Sequence, residues 1–352
     1  MRKFSKLLLA TASFILPALA QGQAATYVPI ALPNGATAIT AFGINNSNIV
    51  AGDYTDSAGV QHGFYGPPDG SNYKTFDYKG NGVSGTQPRG ISDDGAIAGF
   101  ALASGFTIGE EFFRSPGGRI KTFTINGAPM DGVAQGMNIR DVNMGDYFDT
   151  SGNRVGYKGD HGIYRKDFPL HIQGALQNSP RQPNNPPVTA VAGYFIDKDG
   201  GEHGFVQRGV SLLEVIDYTG DPNATLTVLE GINDQMHVSG QWDDSSGNPH
   251  AFQLDTTTGN FTVLDPGDGS TFQQAWGLNN SDLEVLSTSN GTSYIYCPLP
   301  ADQCPNGGAA AIVRPNNVVH VPTETFRLYD RYGRTAKKLP DRRTLKVHGE
   351  IQ

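Results

Sequence analysis

His62, His203 and His250 each stand ten residues beyond a glycine that ends a short apolar run, at Gly52, Gly193 and Gly240. Histidine at a recurring place invites a metal or acid–base reading, because imidazole ligates metals and titrates near neutrality. A metal site needs its donors to converge at about 2.0–2.2 Å on one ion. Equivalent positions in successive repeats are held apart by the repeat itself. The simpler reading is one structural role used several times, an imidazole bonding a neighbouring turn beside a Phe packed between repeats. His161-Gly162-Ile163 is a looser copy.

The acidic turns carry a second chemistry. Asp53-x-x-Asp56, Asp146-x-x-Asp149, Asp197-x-Asp199-Gly200 and Asp243-Asp244 put oxygen ligands on glycine-containing loops, the donor type calcium prefers. Asp197 and Asp199 with Glu202 make the best single candidate for a weak calcium site. None supplies a full EF-hand ligand set, and Asp is also a default turn residue because its side chain bonds its own backbone. Asp93, Asp94, Asp234 and Asp282 could serve as the paired carboxylates of a glycosidase, which sit roughly 5–10 Å apart. Plain hairpin turns account for them more simply. Tyr54, Tyr147, Tyr194 and Trp242 follow the recurring glycine closely and could stack on sugars from a ligand face; packing between repeats is the alternative. No Gly-x-Ser-x-Gly elbow, His-Glu-x-x-His pair or phosphate-cradling loop occurs, so no catalytic residue or organic cofactor is assigned. Cys297 and Cys304, the only cysteines, are expected to close a small disulfide.

These residues hang on a repeat. The glycine after the Ile-Val-Ala run recurs at Gly52, Gly99, Gly145, Gly193 and Gly240, spaced by 47, 46, 48 and 47 residues, and a degenerate copy falls at Leu286. An upstream glycine keeps the same period at Gly43, Gly90, Gly136, Gly231 and Gly277. Within each copy, short alternating segments are separated by Asn, Asp, Gly and Pro, which is turn chemistry. No window shows a 3.6-residue apolar period. Four strands per roughly 40–50 residues is the signature of a β-propeller blade. The expectation is an all-β, propeller-like fold of about six four-stranded antiparallel blades of ~47 residues. Tyr27 to Leu32 resembles a fourth strand lying ahead of the first full unit, so an N-terminal strand is expected to close the ring. A β-solenoid is the competing architecture. Gly174 to Val188, rich in Asn, Pro and Gln, reads as an inserted surface loop.

Residues 1–24 read as an export signal: Arg2, Lys3 and Lys6 precede an apolar stretch from Leu7 to Leu19, with small-residue cleavage sites after it. No stretch is apolar for the roughly 18 residues a membrane span needs. Residues 25–322 form the repeat domain and 323–352 a basic tail, expected to be disordered or to latch onto an acidic surface. The formal charge of −8 becomes about −15 for residues 25–322 alone, which argues against nucleic acid as a partner.

Gly-Ile-Asn, then Ile-Val-Ala-Gly-Asp-Tyr, then His-Gly-Phe resembles the HAF repeat of predicted extracellular bacterial proteins; His250-Ala251-Phe252 carries the naming triplet, and His62-Gly63-Phe64 and His203-Gly204-Phe205 are near variants. Glu111-Phe112-Phe113 and Ser293-Tyr294-Ile295 depart from it. The resemblance implies a secreted, periplasmic or cell-surface propeller-like repeat protein and brings no catalytic residues. The functional expectation is a monomeric, non-enzymatic binding or surface-interaction module for a glycan or protein. A carbohydrate-active enzyme with axial carboxylates and a purely structural matrix or envelope protein are the alternatives.

Overall fold

The computed structural model describes residues 24–330 apart from 81, 104–106, 126–127, 130, 171, 173–174, 187–188, 210–211, 268–271, 306–311, 316 and 321–326. Residues 1–23 of the expected export signal and most of the basic tail therefore lie outside the described residues. What is described is all-β. Among the described residues the one helical turn is a 3-10 segment at Ala301–Gln303, and no helix is long and apolar enough to cross a membrane.

The strands form antiparallel meanders that follow the repeat. The first runs Ala36–Ile44, Val50–Asp56, Gln61–Gly66 and Lys74–Phe76. The second runs Val83–Ile91, Ile97–Ala103, Thr107–Arg114 and Ile120–Thr122. Gly132–Met137, Val142–Phe148, Arg154–Asp160 and Ile163–Asp167 make the third. The fourth is Ala175–Pro183, Ala190–Asp197, Glu202–Arg208 and Leu212–Ile216, and the fifth Leu226–Ile232, His237–Asp243, Pro249–Asp255 and Asn260–Val263. In the last, Phe272–Leu278, Glu284–Thr288 and Ser293–Cys297 are joined by the N-terminal strand Ala24–Pro29, with Thr26 opposite Cys297 and Val28 opposite Ile295. Single parallel bridges, Gln61 to Gly85 and Glu202 to Leu226, fuse neighbouring meanders into sheets of eight and ten strands.

The recurring glycine has a steric cause. Each inner strand slips its register just before its end, for example between Ala41 and Gly43, Pro88 and Gly90, and Leu229 and Gly231. That bulge folds the inner backbone over the facing residue of the second strand. A Cβ on Gly52 would stand 2.1 Å from the Thr40 carbonyl oxygen, on Gly99 2.2 Å from that of Gln87, and on Gly240 2.3 Å from that of Val228. The upstream glycine serves a second approach, inner strand to inner strand. A Cβ on Gly43 would meet the Arg89 oxygen at 2.8 Å, on Gly136 that of Arg181 at 2.7 Å, and on Gly277 that of Phe42 at 3.0 Å. The last of these brings the final repeat back against the first, giving a propeller-like arrangement of inner strands about an axis.

One expectation is corrected here. The Asn- and Pro-rich stretch is no inserted loop: Ala175–Pro183 is the inner strand of the fourth repeat, with Ser179 and Arg181 buried. Pro180 sits beside the register slip, where a missing N–H is tolerated, as Pro88 does in the second repeat. Its polar side chains face the axis, which is polar in this molecule.

Apolar residues pack between successive meanders. Ala192, Val206, Leu229, Phe252 and Phe261 share one cluster, and Val28, Ile39, Phe64, Val285 and Ile295 share another that spans the first and last repeats. Burying each Phe is worth about 2–3 kcal/mol. After the disulfide-joined Cys297 and Cys304, the chain runs back along the outside. Ile312–Pro315 pairs with Ala24–Pro29, Asn317–His320 with Asn260–Val263, and Arg327–Asp330 with Leu212–Ile216. Part of the expected tail is thus an edge strand that covers exposed ladder groups.

Candidate functional site

The turn after each inner strand begins, in five of six copies, with an Asn whose side chain closes it. Asn45 Oδ1 accepts from the amides of Ser47 and Ile49, and Asn233 and Asn279 repeat the pattern two and four residues on. The amide end reaches the next copy. Asn45 Nδ2 donates to the Ser92 carbonyl at 3.0 Å, Asn138 to that of Asn184, Asn233 to that of Asn279, and Asn279 to that of Asn45. A second series runs one residue on, with five links and, among the described residues, none between Asp93 and Ile139: the Asn46 amide donates to Asp93, Ile139 to Asn185, Asn185 to Asp234, Asp234 to Asn280 and Asn280 to Asn46. Together they form a collar around one end of the axis. The cavity inside it measures about 30 Å³, room for one or two waters.

The four carboxylates considered for catalysis are engaged here. Asp93 and Asp234 accept collar bonds. Asp94 accepts from Ser92 Oγ and the Ala96 amide, and Asp282 meets His237 Nδ1 at 2.7 Å and Asn233 Nδ2. Of the four, only Asp93 lines the small cavity inside the collar.

Below the collar, the residue before each upstream glycine points inward: Phe42, Arg89, Gln135, Glu230 and Trp276 line one small cavity of about 20 Å³. The Arg89 guanidinium lies 3.8 Å from the Phe42 ring centre and 4.7 Å from that of Trp276. Burial, reinforced by Arg181, lowers Arg89 to about 10, so it remains cationic. Arg181 Nε meets Glu230 Oε2 at 3.2 Å. Burial pushes Asp53 up to about 7 against the opposing attraction of Arg89 and a bond from Gln87. This layer is a plug, and its charges were not legible because a strand's alternate polar residues ordinarily face water.

The remaining candidates fall as follows. Asp197 Oδ1 accepts from the amides of Asp199 and Gly201, its other oxygen faces His203, and Asp199 pairs with Lys198. Among the described residues no three His, Cys, Asp or Glu side chains group as metal ligands, so Asp197, Asp199 and Glu202 do not converge. Trp242 and Tyr194 are buried. Trp242 stacks between Tyr218 and His250, and Tyr194 lies under Arg181. Tyr54 stacks on His62, and the Tyr147 hydroxyl donates to Asp167. Tyr54, Tyr147 and Trp242 stand two residues after the recurring glycine in three different repeats, whereas Tyr194 stands one residue after it, so the four do not share a face.

The repeated histidines bond the aspartate of the preceding turn. Nε2 of His62, His203 and His250 lies 3.3, 3.3 and 3.4 Å from Asp56, Asp197 and Asp244. In the first and fourth repeats Nδ1 also meets the aspartate after the outer strand, Asp77 or Asp217, at 2.8 Å in both. The Asp217 bond, outweighing burial and joined by Asp197, raises His203 above its usual 6.5. A raised histidine adds stability that is complete below 6.5 and is lost as pH rises through the folded-state value. The His203 resonances should therefore titrate above 6.5 by NMR, and Asp217→Asn should bring that midpoint down.

Two larger hollows lie between the first and second repeats. One, of about 340 Å³, opens beside the collar; Ile49, Tyr65 and Pro67 form an apolar wall, and Ser47, Asn72, Lys74, Asp93 and Asp94 supply donors and acceptors. Arg114 Nη2 donates to the Tyr65 hydroxyl and its guanidinium sits 4.8 Å from the ring centre, fixing the ring's place. The other, of about 360 Å³, opens at the opposite rim beside His62, Asp77, Tyr78 and Lys79. Tyr65 escaped sequence reasoning. Its signal was a hydroxyl-bearing ring at a place, one residue after Phe112, Phe205 and Phe252, that holds Phe113, Val206 and Gln253 in other repeats.

No protein-family model and no curated protein sequence matches the chain. Solved structures resemble it at a distance. Virginiamycin B lyase from Staphylococcus aureus with quinupristin is 10% identical with a TM-score of 0.42, covering 78% of this chain and 99% of that one. The fungal Aleuria aurantia lectin, described as a six-bladed β-propeller with a novel fucose recognition mode, is 12% identical with a TM-score of 0.40 over 65% and 77%. A mutant of AofleA from Arthrobotrys oligospora is 10% identical with a TM-score of 0.45 over 86% and 92%. Likeness this remote carries no ligand and no reaction to this chain.

Proposed function

We propose that this chain is an exported, non-enzymatic propeller of six four-stranded blades, acting as a monomer outside the cytoplasm, that binds glycans in the groove beside the collar. The blade count is supported by the collar, whose hydrogen bonds return from Asn279 to Asn45, and by the pairing of Ala24–Pro29 with Ser293–Cys297. The groove carries the functional reading. A sugar presents an apolar face and a rim of hydroxyls, and at about 340 Å³ the hollow offers an aromatic wall facing amide, ammonium and carboxylate groups. The alternative with axial carboxylates lacks comparable support, because those groups are bonded within the collar and its turns and the cavity inside the collar admits only water.

A glycan array probed with the protein, with calcium and again with chelator, tests this. Binding of a defined glycan set, unchanged by chelator and weakened about tenfold by Tyr65→Ala through loss of ring stacking, is the expected result. Loss on chelation would return attention to the Asp197 turn. No retained glycan, or binding indifferent to Tyr65→Ala, would sink the proposal.

A further inference from the structure

Among the described residues, the fourth repeat contains a worked example of docking that the first repeat lacks. There Arg327, on the edge strand Arg327–Asp330, stands opposite Val215 in the antiparallel pairing with Leu212–Ile216. Its Nη2 lies 2.7 Å from Asp217 Oδ2, while Asp217 Oδ1 holds His203 Nδ1 at 2.8 Å. One carboxylate thus serves an imidazole with one oxygen and a guanidinium with the other.

The first repeat reproduces the receptor half. His62 Nδ1 meets Asp77 Oδ1 at the same 2.8 Å, and His62 Nε2 meets Asp56 at the same 3.3 Å found for His203 and Asp197. The backbones correspond as well: Gly63 faces Phe76 as Gly204 faces Ile216, which sets Thr75 in the place of Val215. Among the described residues, Lys74–Phe76 pairs on one side only, with Gln61–Gly66, and Asp77 Oδ2 accepts no hydrogen bond. Beside it lies the hollow of about 360 Å³, lined by His62, Asp77, Tyr78, Ser84 and Thr86.

We propose that this hollow and the free edge of Lys74–Phe76 are a docking site for an extended, arginine-bearing peptide of a partner protein. The peptide adds a strand antiparallel to Lys74–Phe76 and places its guanidinium on Asp77 Oδ2 across from Thr75. Main-chain pairing gives the direction and the charge-assisted bond gives the selectivity, as in other strand-addition complexes. The edge is three residues long, so the arginine contact carries a large share of the affinity. The acidic body favours a basic peptide, whereas exposed Lys79 on the same hollow opposes one. The site shares Lys74 with the glycan groove, but its test reads Asp77, which lines only the other hollow, so it stands or falls separately.

The probe is a capped peptide of this chain's own sequence Thr325–Asp330, titrated into the full protein by calorimetry. Binding weaker than micromolar but measurable is expected. It should fall at least tenfold with alanine in place of the arginine, at least tenfold with Asp77→Asn, and rise about threefold with Lys79→Gln. The alanine peptide leaves the protein intact, so a folding defect in the Asp77 variant cannot decide the result. Equal binding of the two peptides would overturn the proposal. So would dependence on Asp217 rather than Asp77, which would mean exchange with the chain's own strand, or association of two copies with no binding of the free peptide.

Discussion

Gly52→Ala is expected to destabilise the protein by about 3–5 kcal/mol or to prevent folding. The added methyl would lie 2.1 Å from the Thr40 oxygen and 2.7 Å from the Ala41 Cα, with backbone on every near side. A flexible side chain can swing away from such a clash; a bulged inner strand cannot, since it is also held by the next repeat through Gly43. Gly200→Ala is the control. Its φ of +86° disfavours a side chain, yet nothing lies within 4 Å, so about 1 kcal/mol is expected. Urea unfolding of the two variants checks the contrast. Similar small losses in both would mean that the recurring glycine marks turn conformation and not close approach.

Asp53→Asn should stabilise the protein at pH 8 by roughly 2–4 kcal/mol and change it little at pH 4. Burial raises Asp53 from 3.8 to about 7, more than the nearby Arg89 and Gln87 lower it. Between those two values the folded state holds a proton that the unfolded chain has released. The unfolding free energy therefore falls as pH rises through that window, by about 1.4 kcal/mol per pH unit where the difference is complete. Asparagine removes the charge and with it the slope. Unfolding midpoints for both proteins from pH 4 to pH 8 give the answer. A variant less stable at pH 8 would show Asp53 and Arg89 to be a favourable ion pair, whose loss leaves the buried guanidinium with only Glu230 and Asp146 as counter-charges.

The architecture was legible because close packing wrote itself into the sequence. Two glycine series at one period record two backbone approaches, one across the bulge and one around the axis. The turn residues were equally plain, since Asn45, Asn233 and Asn279 close their turns with their own side chains. What the sequence concealed was the use of polar residues inside. Arg89, Arg181 and Glu230 sit at alternating strand positions that water would ordinarily claim, and only closure of the inner strands on one another buries them. Ala175–Pro183 was misread for the same reason, its Asn, Gln and Pro content resembling a loop while its side chains enter the polar axis. The edge strands after Cys304 are too short for any period to announce them.

The candidate site was less legible. Sequence reasoning weighed residues that repeat, and these turned out to brace each repeat internally: Trp242 against His250, His203 against Asp197 and Asp217. A specific ligand site belongs where one repeat departs from the others, as Tyr65 does. Function on a repeated scaffold is carried by its irregularities.

The most direct test maps the ligand. Amide chemical shifts would be followed as a glycan retained by the protein is titrated in. The expected result is saturable shifts gathered at Ser47, Tyr65, Asn72, Asp93 and Asp94, around the groove beside the collar. Shifts gathered instead at the Asp197 turn, at the opposite rim around Asp77, or at no one place would contradict the glycan groove.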